Sequence, residues 1–228
     1  MRSSLPTLIE RIRAWTAIYE RDGMRWGLAP SLTAHLALTE IGGVYRPGCS
    51  LLDVGCGYGR DLLLFRTIFP ALILDGIEPS RSAFVVADAL MHSIRFRNAF
   101  NTDVFSFFDS KPGLKYDVIF ANYFIHLFSI DEAVLILKQL HQFLNVRGLL
   151  VMSFISTRDP HHGLGMQISS HFFEVYPKIP WRFYTPKDAC AVMEKCAYRV
   201  KAFTEYKEVE LLNGQPDKVH GFYIVMGV

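Results

Sequence analysis

Asp53, Gly55, Gly57 and Gly59 stand at alternate positions in the segment SLLDVGCGYGRDLLLF, residues 50–65, with Cys56 and Arg60 among them. An acid followed by three glycines at that spacing suits the binding of a nucleotide-like cofactor. Glycine takes positive φ and lets the backbone approach a ligand closely. A helix that starts just beyond such a turn directs its free N–H groups at whatever the turn holds. The flanks supply that context. Leu51, Leu52 and Val54 form the short apolar run of a buried parallel strand, and RDLLLF opens an amphipathic helix. The dinucleotide fingerprint GxGxxG is not met, because its last glycine falls on Arg60. A nucleophilic role for Cys56 requires a base beside it, and the segment offers none, so a small packing residue is expected there.

Downstream segments carry further candidates. ILDGIEPS, residues 73–80, reads as a second strand ending in an acid, Glu78, 25 residues after Asp53. Asp103 sits in NTDVF, and KYDVIFANYFIHLF, residues 115–128, reads as another strand with Asn122 and Tyr123 at its open end. LHQFLNVRGLLVMSF, residues 140–154, continues with a turn and a fifth strand. In this order the segments resemble the class I S-adenosylmethionine-dependent methyltransferases, with DxGxGxG as motif I.

The resemblance implies a role for each of these residues. Glu78, followed by Pro79, holds both ribose hydroxyls, a task suited to a carboxylate that accepts two hydrogen bonds. Asp103 meets the adenine amino group, and Val104 offers its backbone N–H to the ring. Asp53, Gly55, Cys56, Gly57, Gly59 and Arg60 form the cofactor loop, and Asn122 and Tyr123 belong to motif IV. His126, four residues after Asn122, is either a general base near the methyl donor or a packing residue. Two departures from the family pattern stand out. Arg147-Gly148 replaces paired glycines before the fifth strand, and ANYF replaces the NPPY or DPPY of enzymes that methylate planar amides or exocyclic base amines.

Those residues need a scaffold, and the chain alternates helical and strand patterns as a parallel sheet covered on both faces requires. The expected fold is α/β, a Rossmann-like sheet of about seven strands with helices on both faces. Leu8, Ile12, Trp15 and Tyr19 recur at helical spacing, and Val134, Leu137, Leu140 and Leu144 mark a second amphipathic helix. Thr185-Pro186-Lys187-Asp188 reads as a helix start. Two strand-like runs, 200–212 and 218–228, flank Asn213-Gly214-Gln215-Pro216 and predict a closing hairpin. The resemblance makes the last strand antiparallel, and this last quarter is loosely similar to the tellurite-resistance and thiopurine methyltransferases.

The reading is of a single methyltransferase domain over residues 1–228, with residues 1–46 as an N-terminal helical cap and 156–184 as a lid-like insertion. That insertion is long and weakly periodic but rich in aromatics, which argues against disorder. Tyr19, Trp26, Phe173 and Trp181, drawn from the cap and the insertion, are the candidate acceptor contacts.

With 228 residues and 50% hydrophobic content the chain can bury a substantial core without staples. The four cysteines include no CxxC pair and are too few for a disulfide scaffold. His161 and His162 are adjacent, so on an extended loop they point apart, and no metal is assigned. A net charge of +2 gives no footprint for nucleic acid, and the Arg95-Phe96-Arg97 strip near His92 is too small to supply one. No apolar run spans a membrane or forms a signal peptide, and a cytoplasmic protein is expected. The leading expectation is S-adenosylmethionine-dependent methylation of a small-molecule acceptor. The alternatives are a methyltransferase acting on protein or RNA, and a non-catalytic S-adenosylmethionine-binding protein.

Overall fold

Neighbouring residues of the central strands bury against opposite layers, and the architecture follows from that period of two. The computed structural model describes residues 4–93, 97–111 and 113–228. Strands β1 (Ser50–Val54), β2 (Ile73–Ile77), β3 (Asn98–Phe100), β4 (Tyr116–Ala121) and β5 (Leu144–Ile155) run parallel. Three short antiparallel strands, β6 (Met166–Ser169), β7 (Phe172–Tyr176) and β8 (Ile179–Arg182), form a separate sheet. The hairpin of β9 (Arg199–Leu212) and β10 (Gln215–Gly227) completes the main sheet, ordered β3-β2-β1-β4-β5-β10-β9. The final strand, β10, is antiparallel to both neighbours. Its turn is two residues long, with Asn213 at φ 51° and Gly214 at φ 77°, the left-handed pair that a tight hairpin requires.

Among the described residues seven α-helices accompany these strands: α1 (Leu8–Asp22), α2 (Leu32–Val44), α3 (Arg60–Ile68), α4 (Arg81–Ser93), α5 (Val104–Ser110), α6 (Ile130–Phe143) and α7 (Pro186–Glu194). Ala37 of α2, Phe65 of α3 and Ala87 of α4 share a buried layer with Leu51, Val118, Phe120 and Val225. Phe107 of α5, Leu137 of α6 and Met193 of α7 share the opposite layer with Leu52, Ile119, Leu150 and Ile224. The helices start where their sequences say they should. Thr7 with Glu10, Ser129 with Glu132, and Thr185 with Asp188 form reciprocal capping boxes, the last with Pro186 at the first helical position. Leu144, expected to close the stripe of α6, begins β5 instead, because the helix ends at Phe143.

The segment 156–184 differs from the loop anticipated. Phe172, Phe173, Tyr176 and Trp181 lie on the β6–β7–β8 sheet, and the runs of four or five residues were too short to show a period. Pro177-Lys178, with Lys178 at φ 63°, turns β7 into β8. β8 packs against α1, and Lys178 Nζ lies 3.2 Å from Glu10 Oε1. Arg95 and Phe96 of the proposed basic strip lie outside the described residues. Arg97 is turned inward, onto Asp75.

Asp75, fully buried in β2, is held from three directions. Arg97 Nε donates from 3.1 Å, Tyr116 Oη of β4 from 2.8 Å and Asn98 Nδ2 of β3 from 3.3 Å. Tyr116→Phe removes one of these donors without opening a cavity. It should cost about 1–3 kcal/mol in urea unfolding, as expected for a hydrogen bond to a buried charge. Wild-type stability would show that the other donors carry the carboxylate alone.

Candidate functional site

Strands β1, β2 and β4 end side by side, which brings Asp53, Glu78 and Asn122 to the wall of one cavity of about 190 Å³. The turn after β1 is tied down by its own backbone. Gly55 and Cys56 N–H donate to the Ile77 carbonyl at 2.9 and 3.0 Å, fastening the turn to the end of β2. Glu78 fastens it again. Its Oε2 accepts from Gly57 N–H at 3.0 Å and its Oε1 from Ser80 N–H at 2.7 Å. The Glu78 carboxyl is buried, and burial pushes its pKa up to about 7 against the pull of the Ser80 and Gly57 hydrogen bonds.

Two of the glycines have specific reasons to be glycine. At Gly55 φ is 78°, and a Cβ would lie 2.9 Å from Phe124 Cδ2. At Gly57 φ is 55°, and a Cβ would lie 3.1 Å from the Tyr19 hydroxyl. Helix α1 therefore rests directly on the turn. Tyr58 fixes the chain just beyond α1, donating to the Gly27 carbonyl at 2.7 Å and accepting from Trp26 N–H at 3.1 Å.

A polar chain crosses the mouth of β4. Asp61 accepts from Ser31 N–H and Oγ, both at 2.8 Å, and so joins α3 to the start of α2. Ser153 Oγ donates to Asn122 Oδ1 at 2.8 Å and accepts from Tyr123 N–H at 2.9 Å. Tyr123 itself is in the left-handed region, φ 46°, uncommon for an aromatic residue and typical of strain held at a functional mouth. Its hydroxyl is held by Glu208 at 2.7 Å.

Opposite this floor stands an aromatic wall. Trp15, Tyr19 and Trp26 have ring centroids 6.0–6.1 Å apart, and Trp181 of β8 closes the far side. His126 also lines the cavity, 5.3 Å from the Trp181 ring. Burial pushes its pKa down to about 3, so the ring is neutral and weakly basic at physiological pH.

Asp53, Gly55, Cys56, Gly57, Arg60, Glu78, Pro79, Asn122, Tyr123, His126, Tyr19, Trp26 and Trp181 all line this cavity, with Gly59 starting α3 immediately behind it. Besides Gly59, three expected residues do not line it. Asp103 caps α5 instead, accepting from Phe105 N–H at 3.0 Å and from Ser106 N–H at 3.1 Å, and Val104 is buried beneath it in the core. Phe173 packs with Phe183 and Ile155 behind Trp181. Several wall residues carry no mark in the sequence reading. Arg11 shares the face of α1 with Trp15 and was legible there by helical spacing. Glu210 and Asp217 come from the β9–β10 hairpin, where no motif marks them. Glu210 anchors Arg60 at 2.6 Å.

Residues 52–150, from β1 into β5, match the family model of the methyltransferase domain. Over that span the chain is similar to a methyltransferase domain. Such domains use S-adenosylmethionine, and the glycine turn, buried acid and cavity here fit that cofactor. No curated protein matches the sequence. The fold is shared with solved methyltransferases at low identity. The 1,6-didemethyltoxoflavin-N1-methyltransferase of Burkholderia thailandensis, crystallised with S-adenosylhomocysteine, is 13% identical, with TM-score 0.72 over 100% of this chain and 92% of that one. An S-adenosylmethionine-dependent methyltransferase from Methanosarcina mazei is 15% identical, with TM-score 0.67 over 82% and 96%. TehB from Haemophilus influenzae is 13% identical, with TM-score 0.62 over 85% and 62%. No described helix is long and apolar enough to cross a membrane.

Gly55→Ala should be the most damaging small substitution in the turn, since it combines a positive φ with the contact to Phe124. A loss of about 1–3 kcal/mol in stability is expected, with cofactor affinity falling as well. A variant as stable as wild type would mean that the turn relaxes freely.

Proposed function

We propose that this chain binds S-adenosylmethionine over the open ends of β1, β2 and β4, and transfers its methyl group to a small acceptor enclosed by the aromatic wall. The observation that carries this reading is the seating of Tyr19 on the glycine turn, with Trp15, Trp26 and Trp181 completing the enclosure. Such an apolar, largely preformed chamber suits a small molecule. The acceptors named for two structural relatives, 1,6-didemethyltoxoflavin and magnesium protoporphyrin IX, agree with that size class.

S-adenosylmethionine supplies a methyl group already activated on a sulfonium. The protein's work is therefore alignment and the exclusion of water. Glu78 holds the ribose diol, and the turn from Gly55 to Gly59 lies along the cofactor with no side chain in the way at Gly55 or Gly57. Asn122 and Tyr123, fixed through Ser153, face the junction between cofactor and acceptor. His126 is neutral and a weak base, so its role is to orient the acceptor through a ring nitrogen. The segment 156–184 and the N-terminal residues 1–46 act as wall and cap.

Two measurements test these assignments. Glu78→Ala should weaken S-adenosylhomocysteine binding roughly tenfold to a hundredfold in a folded protein, and Glu78→Gln less. Diol donors favour the ionised carboxyl and so lower its pKa from the free value near 7. Cofactor binding at about pH 6.5 should then release a proton, visible as a buffer-dependent enthalpy that Glu78→Gln abolishes. Unchanged proton release in that variant would remove Glu78 from the ribose site. Trp181→Ala should reduce methyl transfer while leaving cofactor affinity within a few-fold. An equal loss of both would place Trp181 on the cofactor.

A further inference from the structure

The hairpin of β9 and β10 puts two carboxylates into the cavity from one face of the sheet, since Asp217 pairs directly with Glu210. Glu210 is neutralised by Arg60. Asp217 accepts no hydrogen bond from the described residues, and its side chain keeps 21% of its surface exposed. A carboxylate so placed at a cavity wall is open to a ligand.

Its surroundings are ordered around it. His161 Nε2 stands 3.6 Å from Asp217 Oδ1. That imidazole is fixed from behind, with Nδ1 2.8 Å from Asp159 Oδ1. Asp159 is itself buried and takes the backbone N–H of His161 and of His220, each at 2.8 Å. Trp181 packs between His161 and His126, at 5.1 and 5.3 Å. Its indole N–H is buried without an acceptor among the described residues, and so is Nδ1 of His126, a residue only 2% exposed. The Asp217 carboxylate, with His161 beside it, thus shares the chamber wall with the Trp181 indole and the neutral His126 imidazole.

Charge narrows the class of ligand. Asp53, Asp61, Glu78, Glu210 and Asp217 line the cavity, whereas its two guanidiniums, Arg11 and Arg60, are already bound to Glu132 and Glu210. Burial pushes Asp53 and Glu78 toward the neutral form, so the charge open to an acceptor is that of Asp217: an anion would be repelled by it, and a flat cation would gain from it and from the Trp181 ring, the Trp26 ring already facing the Arg25 guanidinium at 5.7 Å.

We propose that Asp217 is the acceptor-recognition residue, and that the acceptor is a planar nitrogen heterocycle presenting an N–H donor or a positive charge to it between Trp26 and Trp181. The inference rests on the small-acceptor reading of the cavity. His161, clamped by Asp159, limits the room in which the Asp217 carboxylate can turn.

Two flat probes of opposite charge test this on the full chain saturated with S-adenosylhomocysteine: 4-aminoquinoline, a cation at neutral pH, and 2-naphthoate, an anion. Calorimetry should show 4-aminoquinoline binding once per chain, with 2-naphthoate at least about tenfold weaker. Asp217→Asn should weaken 4-aminoquinoline by roughly tenfold or more and leave S-adenosylhomocysteine affinity unchanged, which also reports that the variant is folded. The proposal is overturned if Asp217→Asn binds 4-aminoquinoline as tightly as wild type, if 2-naphthoate binds equally well, or if the cofactor-loaded protein ignores 4-aminoquinoline. A chain that does not bind S-adenosylhomocysteine at all would overturn the cofactor reading together with this one.

Discussion

A buried carboxylate with no cation against it, Glu78, sets the shape of the site. It is 6% exposed, and its two oxygens are satisfied by backbone N–H groups from two different segments, Gly57 in the turn and Ser80 at the head of α4. Leaving such a group unpaired would cost on the order of 1–3 kcal/mol or more. The turn is therefore held in the one path that delivers Gly57 N–H, and that path demands positive φ at three successive alternate glycines. Everything above the turn is placed by it. Tyr19 seats on Gly57, which fixes the height of α1, and α1 in turn carries Trp15 into the wall.

The second half of the cavity is assembled from chain segments far apart in sequence. Arg60, at the start of α3, reaches across to Glu210 on β9 and locks the hairpin to the glycine turn. Tyr123 reaches Glu208 two residues earlier, and Glu208 also accepts Leu32 N–H at 2.8 Å. The hairpin, α2 and the end of β4 thus meet through side-chain carboxylates rather than through backbone pairing. In the proposed reading this arrangement divides the work of the molecule: the parallel strands and their turns would serve the cofactor, and α1, β8 and the hairpin the acceptor.

The parts governed by short-range rules were legible in the sequence. The DxGxGxG turn, the capping box at Thr185 and the Asn213-Gly214 hairpin turn each depend on a few adjacent residues, and the structure has each where the spacing puts it. The parts governed by long-range pairing were not. Asp103, proposed from the resemblance for an adenine contact, also caps α5, accepting from two N–H groups and Ser106 Oγ, a local role that the resemblance did not bring out. The strands β6 to β8 were hidden by their brevity. Asp217 was invisible for a different reason: an acid on an edge hairpin reads as a solvated face until the wall it joins has been built.

The proposed cofactor site, formed by Glu78, the glycine turn and the Tyr19 cover, underlies every other assignment proposed for the cavity. Titration calorimetry of the full chain with S-adenosylhomocysteine, S-adenosylmethionine and NAD tests it directly. One saturable site is predicted for either adenosyl compound, with NAD giving no binding heat, since Arg60 stands where the dinucleotide turn needs glycine. Tight NAD binding with no response to the adenosyl compounds would contradict it.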